Sequence, residues 1–348
     1  VDLAIGNKEK AHIVPLLQRL LRDRAVDTSV SQDGEPRPAE QNPMIERFFN
    51  YSRAFVKIQE GCDWQCAYCI IPRARGPNRS MPPDWVIDQV QKLADSGYQE
   101  IVLCGTRLGT YGVDLVAGPS LATLLTRILA STDIRRVRLS SIEPMGFDEQ
   151  LKEVIVSSNR ICRHLHIPLQ SGSDAVLRAM NRPYSTSDYR RLVDWFKSRC
   201  PDMCIGADLV VGFPAEGEAD FRETTEFIQD IDLSYLHVFS YSVRPGTPAA
   251  NRYSESQLIP PEVVRRRSRF LRSLSRAKRR SFAKSQVGRT LNMLVLRKTD
   301  DSSGKRMALS DNYLNVLVDA DDASAGQILP AEVLSVTESA IVGRLLNR

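Results

Sequence analysis

Long apolar runs are missing from this sequence. Among its 348 residues no stretch of eighteen or more is continuously apolar, which excludes a membrane-spanning helix and predicts no membrane partner. The first residues lack the charged start and apolar stretch of a signal peptide, so secretion is not expected. Seven cysteines are an odd number and are scattered, which argues against a disulfide scaffold. We therefore expect a cytoplasmic protein.

A strong overall charge is also missing, because the net charge is only +5. That value alone does not indicate a nucleic-acid partner. The charge is concentrated, however, in a predicted helix over residues 260–284, which holds ten basic residues against the single acid Glu262. Such a segment is typical of phosphate-backbone binding, and we take Arg265, Arg269 and Arg272 as candidate substrate contacts. A merely solvated basic face is the alternative.

Strand-like and helical patterns alternate between residues 54 and 241. The apolar strand-like runs are 54–58, 101–104, 137–142, 164–169, 205–211 and 236–241, and the helical patterns between them are 84–96, 121–130, 147–157, 187–197 and 218–230. This alternation predicts an α/β fold with a parallel sheet and right-handed crossovers, closed into a barrel or partial barrel. In such folds the chemistry lies at the carboxyl ends of the strands.

The regions on either side of this alternation differ from it in composition and in hydrophobic pattern. Residues 1–25 have apolar side chains at helical spacing, and residues 27–47 have the Pro, Gly and Ser content of a linker. After Gly288, short strand-like runs at 291–296, 313–318, 327–334 and 340–345 predict a small OB-like β-barrel.

Three cysteines follow the first barrel strand at C-x3-C-x2-C spacing, namely Cys62, Cys66 and Cys69. Three thiolates on one short loop can hold three irons of a [4Fe–4S] cluster and leave the fourth iron open to another molecule. A zinc site is the alternative, but structural zinc takes four protein ligands and no fourth His or Cys follows at a suitable spacing. The cluster is the favoured interpretation.

The cysteine motif, with the aromatic Tyr68 before its last cysteine, resembles the radical S-adenosylmethionine (radical SAM) enzymes. Segments 55–62, 70–76, 166–173, 180–184 and 211–214 resemble the methylthiotransferase branch of that family. The resemblance implies a TIM-like partial (βα)6 barrel over residues 47–285 and a TRAM-like RNA-binding barrel over 286–348. It also implies a [4Fe–4S] cluster that cleaves S-adenosylmethionine to a 5′-deoxyadenosyl radical, followed by insertion of sulfur and methylation.

Several residues at strand ends become candidate cofactor contacts under this resemblance. Tyr68 lies in the cysteine motif, Gly105 and Thr106 end the second strand, and Gln170 and Ser171 follow the fourth strand. Arg182 is a candidate partner for the methionine carboxylate, because guanidinium matches carboxylate geometry. The alternatives are an ordinary strand-to-loop turn at Thr106 and a solvent-facing arginine at Arg182.

Four further polar residues lie in the predicted barrel. Glu143 ends the third strand and is a candidate for substrate placement, with a hydrogen-bonded strand-end carboxylate as the alternative. Asp208 lies inside an apolar run, where a carboxylate needs a partner, and a structural charge pair is favoured over a cofactor contact. His164 and His166 share one face of their strand. A metal pair is conceivable, but no third ligand is evident, so hydrogen-bonded barrel histidines are favoured.

The resemblance also covers the two ends of the chain. Residues 310–314 match the TRAM pattern, and Tyr313 is a candidate side chain for stacking on a base. Family members carry an N-terminal domain with three more cysteines and a second [4Fe–4S] cluster. Residues 1–46 resemble only a remnant of that domain plus a linker, since no cysteine precedes Cys62. We expect the second cluster only in an intact, longer protein.

Segments 76–80 and 141–144 most resemble the branch that acts on N6-threonylcarbamoyladenosine at position 37 of tRNA. The alternatives within the family are isopentenyladenosine-37 of tRNA and an aspartate of a ribosomal protein. Outside the family, a non-catalytic iron–sulfur or zinc-containing RNA-binding protein stays open. The resemblance implies the tRNA anticodon loop as partner and an electron donor such as flavodoxin or ferredoxin; the sulfur donor is unknown.

Overall fold

The structure is a computed structural model that describes residues 13–15, 17–18 and 44–346. Residues 13–15 and 17–18 are helical, in agreement with the pattern of the first segment. The remainder of that predicted helix and most of the predicted linker lie outside the described residues. Within the described part of the chain, no helix combines the length and the apolar character needed to cross a bilayer.

Six parallel strands form the central sheet. Counting all strands in chain order, they are β1 (Ala54–Lys57), β4 (Glu100–Cys104), β5 (Arg136–Leu139), β6 (His164–His166), β7 (Cys204–Val211) and β8 (Tyr235–Ser240). They form two three-stranded sheets, β1-β4-β5 and β6-β7-β8, which are linked by a parallel bridge between Val137 and Ile161. The predicted partial barrel is confirmed. The short β2 (Gln59–Glu60) and β3 (Arg79–Ser80) pair outside it.

Helices connect the strands and cover one side of the sheets. They are α1 (Ile71–Arg75), α2 (Pro83–Asp95), α3 (Leu121–Ser131), α4 (Glu149–Ser157), α5 (Asp174–Ala179), α6 (Thr186–Arg199), α7 (Glu218–Asp230), α8 (Pro248–Arg252) and α9 (Pro261–Lys284). The sequence placed the five main crossover helices within two residues of these bounds, and side-chain caps mark the starts of α3, α4 and α6. Ser185, for example, forms a capping box with Asp188 at the start of α6.

Residues on the barrel strands alternate between an apolar face and a polar face, as the period of a strand requires. Leu165, Ile205, Ala207, Leu209, Leu236 and Val238 belong to the apolar core that includes residues of the covering helices. The intervening side chains face away from that core. They include His164, His166, Asp208, Tyr235 and His237, which contact one another. The interior of the partial barrel at β6–β8 is therefore polar.

The C-terminal region is a closed five-stranded barrel with the strand order β10-β11-β13-β12-β9. Its strands are β9 (Thr290–Thr299), β10 (Arg306–Ser310), β11 (Asn315–Val318), β12 (Ile328–Val336) and β13 (Ile341–Leu345). The predicted small barrel is confirmed, but the prediction from sequence patterns missed β10. It also placed Tyr313 in a strand, whereas Tyr313 lies in the β10–β11 turn with φ 70°.

The small barrel packs on the amino-terminal ends of β4 and β5 through two buried arginines. Arg136 and Arg138 both form ion pairs with Glu100, whose side chain is fully buried. Their remaining guanidinium nitrogens donate to main-chain carbonyls of the small barrel. Arg136 donates to Asn292 and Leu309, and Arg138 donates to Ser310 and Asp311.

Tyr313 takes part in the same contact. Its ring stacks on His164 with 4.0 Å between ring centroids and lies 6.0 Å from the ring of Tyr235. The guanidinium of Arg138 lies 5.2 Å from the ring centroid of Tyr313. The expectation that Tyr313 stacks on an RNA base does not fit this placement, because its ring is already stacked within the contact between the two barrels.

Candidate iron–sulfur site

The three cysteines lie on the loop that follows β2. The loop opens at Gly61, whose φ of +79° is a left-handed conformation; a Cβ there would lie 1.8 Å from the carbonyl oxygen of Pro77. Only glycine tolerates both conditions. The next residue, Cys62, donates its backbone N–H to the carbonyl of Gly76 at 3.0 Å. This close approach folds the loop back on itself.

Loops after two other strands hold the cysteine loop in place. The N–H of Ala67 donates to the carbonyl of Met180 at 2.9 Å, and the N–H of Ala249 donates to the carbonyl of Ala67 at 2.7 Å. The side-chain amide of Asn181 donates to the carbonyl of Gln65 at 2.7 Å. The loop is therefore anchored by segments that follow β6 and β8, at the carboxyl ends of the strands.

The three thiols are free, and their sulfurs do not all lie within 4.8 Å of one another. None of the seven cysteines is in a disulfide. A tetrahedral zinc ion with Zn–S bonds of about 2.3 Å holds its sulfurs about 3.8 Å apart. In the described part of the chain, only His166, Asp208 and His237 form a triad of potential ligand atoms within 4.8 Å of one another. The cysteine spacing thus favours a multi-iron cluster over a single zinc ion.

Arg182 lies directly beside the cysteines. It is buried, and its Nη1 donates to Cys66 Sγ at 3.2 Å. It also forms an ion pair with Glu143, and its Nε donates to Tyr184 Oη at 3.2 Å. The structure therefore brings together two residues that the sequence singled out separately. Glu143 is the ion-pair partner of Arg182. The alternative of a solvent-facing Arg182 is wrong, because this side chain is buried.

Arg107 is a second cation at the site, and the sequence reading missed it. Its guanidinium lies 3.3 Å from the ring centroid of Trp64, inside the cysteine loop. Burial lowers the pKa of Arg107 to about 10. Its Nε is buried without a hydrogen-bond partner among the described residues. Its position in the sequence could have indicated Arg107, because this residue lies two residues after Gly105 at the carboxyl end of β4.

These observations fit a bound cluster and S-adenosylmethionine. Three free thiols supply the iron ligands, and thiolate is the usual ligand of such clusters. Burial raises the pKa of the Cys69 thiol, and a bound metal would favour its ionised form. The orphaned Nε of Arg107 is a donor that an anionic group such as a carboxylate would satisfy. Cys62, Cys66 and Cys69 are the residues that would hold the cluster.

The other predicted cofactor contacts lie at the same end of the barrel but have different surroundings. Gly105 is closely packed, since a Cβ there would lie 2.8 Å from Gln59 Oε1 and 2.9 Å from Leu108 Cδ2, and these side chains would have to shift. Thr106 is exposed. Tyr68 is half-buried against the apolar cluster of Met180, Phe213 and Ala249, and burial raises its pKa strongly.

The neighbouring residues Gln170 and Ser171 make different contacts. Gln170 adopts φ 70° and is buried, and its backbone bridges to β7. The Ser171 hydroxyl instead lies 3.3 Å from the Thr224 hydroxyl of α7 and accepts from the N–H of Ser173. The predicted cofactor contact by the Ser171 hydroxyl does not fit this placement, because the hydroxyl is directed at the covering helix.

His166, Asp208 and His237 form a hydrogen-bonded group in the barrel interior. Asp208 Oδ1 lies 2.9 Å from His166 Nε2 and 3.4 Å from His237 Nδ1. Burial raises the pKa of Asp208, but the hydrogen bonds from His166 and His237 outweigh it and hold that pKa at about 2. Tyr235 Oη lies within 3.1 Å of ring nitrogens of both His164 and His166. Both strand histidines thus have hydrogen-bond partners, but the expectation that no third potential metal ligand lies near them is wrong, because ligand atoms of His166, Asp208 and His237 lie within 4.8 Å of one another.

A partial parallel barrel with three free cysteines at the carboxyl end of its first strand defines an iron–sulfur enzyme of the radical SAM type. Residues 56–228 match the Radical SAM superfamily. A threonylcarbamoyladenosine tRNA methylthiotransferase of Aquifex aeolicus is 36% identical over 91% of this chain and 74% of its own length. The enzyme of the same name from Bacillus subtilis is 34% identical over 96% and 74%.

A tRNA-2-methylthio-N6-dimethylallyladenosine synthase of Erythrobacter litoralis is 33% identical over 93% of this chain and 72% of its own length. The chain belongs to the radical SAM superfamily, within its methylthiotransferase family. It is a methylthio-transferring enzyme, and its cofactors are a [4Fe–4S] cluster and S-adenosylmethionine.

Proposed function

We propose that this enzyme adds a methylthio group to C2 of N6-threonylcarbamoyladenosine at position 37 of tRNA. When bound, the cluster and S-adenosylmethionine supply the one-electron chemistry needed at an unreactive C–H bond. The chain positions these groups. Cys62, Cys66 and Cys69 hold the cluster, while Arg107 and Arg182 offer guanidinium groups beside it. Glu143 orients Arg182 through their ion pair.

The polar interior of the barrel is the observation that favours the threonylcarbamoyl substrate. His166, Asp208 and His237 line the interior at β6–β8, and Gln170 beside them donates its N–H to the carbonyl of Asp208. A threonylcarbamoyl group offers a urea and a hydroxyl as hydrogen-bonding groups to such residues. An apolar dimethylallyl group would remove water from these polar side chains and offer them no hydrogen bonds in return. A polar site rejects such a substrate strongly.

Mass spectrometry of tRNA nucleosides tests the proposal. In cells that lack the gene for this protein, we expect the methylthio form of threonylcarbamoyladenosine to disappear and the unmethylthiolated form to accumulate. The wild-type gene restores it, and a gene carrying Cys66→Ala does not. Loss of methylthio-isopentenyladenosine instead would establish the second candidate, which the Erythrobacter litoralis relative favours. Unchanged tRNA would contradict both.

The proposal carries further assignments with it. We propose tRNA as the macromolecular partner, a one-electron donor such as flavodoxin or ferredoxin, and the cytoplasm as the compartment. We also propose that residues 47–285 form the radical SAM domain and that 286–348 form a TRAM-like domain. The similarity to relatives over 91% or more of the chain supports these assignments.

A further inference from the structure

One face of the basic helix α9 opens into a cavity at the carboxyl end of β8. The cavity has a volume of about 400 Å³. Its lining consists of Ser240, Arg265, Ser268, Arg269, Arg272 and Arg276. The four arginines are spaced by four, three and four residues, which places them on one side of the helix. Among the residues that the structure describes, no acidic side chain lines this cavity.

The four cavity arginines differ from other basic residues of the same helix in their partners. Arg267 is buried against Glu216, Arg266 lies 3.6 Å from Glu218, and Arg280 lies 3.9 Å from Glu338. None of the cavity arginines forms an ion pair with any residue that the structure describes. Arg272 makes one neutral contact, donating to the carbonyl of Val238 at 3.2 Å. Like charges at this spacing repel one another, and a bound anion would reduce the repulsion between these arginines.

A second observation points to a ligand independently of the charge. Ser268 lines the cavity and is only 5% exposed, and its hydroxyl has no hydrogen-bond partner among the described residues. A buried hydroxyl without a partner is costly and unusual in a folded protein. A phosphate oxygen in the cavity would accept its hydrogen.

We infer that this face binds backbone phosphates of the RNA substrate. Arginine forks match phosphate geometry. The row from Arg265 to Arg276 extends about 16 Å along the helix at 1.5 Å per residue, which suits successive phosphates of one strand better than a single free anion. Ser240 ends β8, so the face lies at the same end of the barrel as the cysteine loop. The inference rests on the proposed tRNA substrate.

A pair of double variants isolates the cavity face. Arg265→Gln with Arg269→Gln removes two cavity charges, and Arg266→Gln with Arg280→Gln removes two exposed, ion-paired charges from the same helix. Binding of unmodified and threonylcarbamoylated tRNA is measured by fluorescence anisotropy over a range of salt concentrations. We expect the cavity variant to raise Kd at least about tenfold and to lower the salt slope by about 1.4 to 1.8, as expected for two lost phosphate contacts. The control should stay within about twofold of wild type, well under the tenfold change that one lost charged contact brings.

Ser268→Ala provides a test that does not change charge. We expect weaker tRNA binding without a loss of thermal stability, because the hydroxyl has no partner to lose in the free protein. Equal weakening by both double variants would show general electrostatic attraction and overturn the inference, as would tight competition by inorganic phosphate alone. If both tRNA forms bind through this face but cells that lack the gene keep their methylthio-threonylcarbamoyladenosine, the proposed function fails while the phosphate site stands.

Discussion

Replacing Cys69 with alanine removes the iron–sulfur colour and reduces cleavage of S-adenosylmethionine to background. Two remaining thiolates cannot hold a cluster that uses three of its irons as attachment points. The measurements are iron content after anaerobic reconstitution and 5′-deoxyadenosine formed with dithionite. Wild-type protein should hold about four irons in the cluster bound by the cysteine triad, and the variant should hold close to none.

Cys104→Ala is the matched control for this experiment. Cys104 ends β4 at the same side of the barrel, but its thiol contacts the carbonyl of Val102 at 3.5 Å and lies outside the cysteine loop. The control should keep its colour and its cofactor cleavage. A Cys69→Ala protein that still cleaved S-adenosylmethionine would refute the site. Wild-type protein that bound iron but formed no deoxyadenosine would support a non-catalytic iron–sulfur protein instead.

Replacing Glu100 with alanine destabilises the protein by about 3–5 kcal/mol, the usual effect of breaking a buried charge pair. Glu100 neutralises both Arg136 and Arg138, and all three side chains are at most 5% exposed. Without Glu100, two buried guanidinium groups lose their carboxylate at the contact between the two barrels. Urea unfolding measures the effect. Asp84→Ala, which removes an exposed pair with Arg127, should change stability by at most about 1 kcal/mol.

The same carboxylate makes stability depend on pH in acid. Burial raises the pKa of Glu100, but attraction to Arg138 and Arg136 is stronger and holds it at about 2, below its ordinary value of 4.5. A lowered pKa in the folded state means that the stabilisation is complete above pH 4.5 and is lost as pH falls toward 2. Glu100→Gln should flatten the stability curve in this window. Parallel curves for wild type and variant would contradict the assignment.

Sequence patterns predicted the central barrel closely because its strands and its crossover helices carry apolar side chains toward one core at strand and helical spacing. The same reasoning missed β10, which lies next to polar turn residues and has little apolar alternation of its own. It misplaced Tyr313 because a tyrosine in a strand-like run gives no local sign of a left-handed turn. Tyr313 has a left-handed conformation in this turn, and its ring stacks on His164 across the contact between the two barrels.

The cysteine triad could be located from sequence because all three ligands lie within eight residues on one loop. Arg107 and the partners of Arg182 could not be located in this way. Glu143 lies 39 residues from Arg182, and the ring of Trp64 under Arg107 lies in a different loop. Such pairs form only when parallel strands bring their carboxyl ends to one edge.

By itself, the sequence determined the fold class, the cysteine ligands and the excess of positive charge on α9, since these depend on local spacing and composition. The tertiary structure alone decided which charges have partners. It paired Arg266, Arg267 and Arg280 with acids, left Arg265, Arg269, Arg272 and Arg276 facing a cavity, and enclosed Glu100 between two arginines. Neutralisation requires side chains from distant segments to meet, and only packing brings them together.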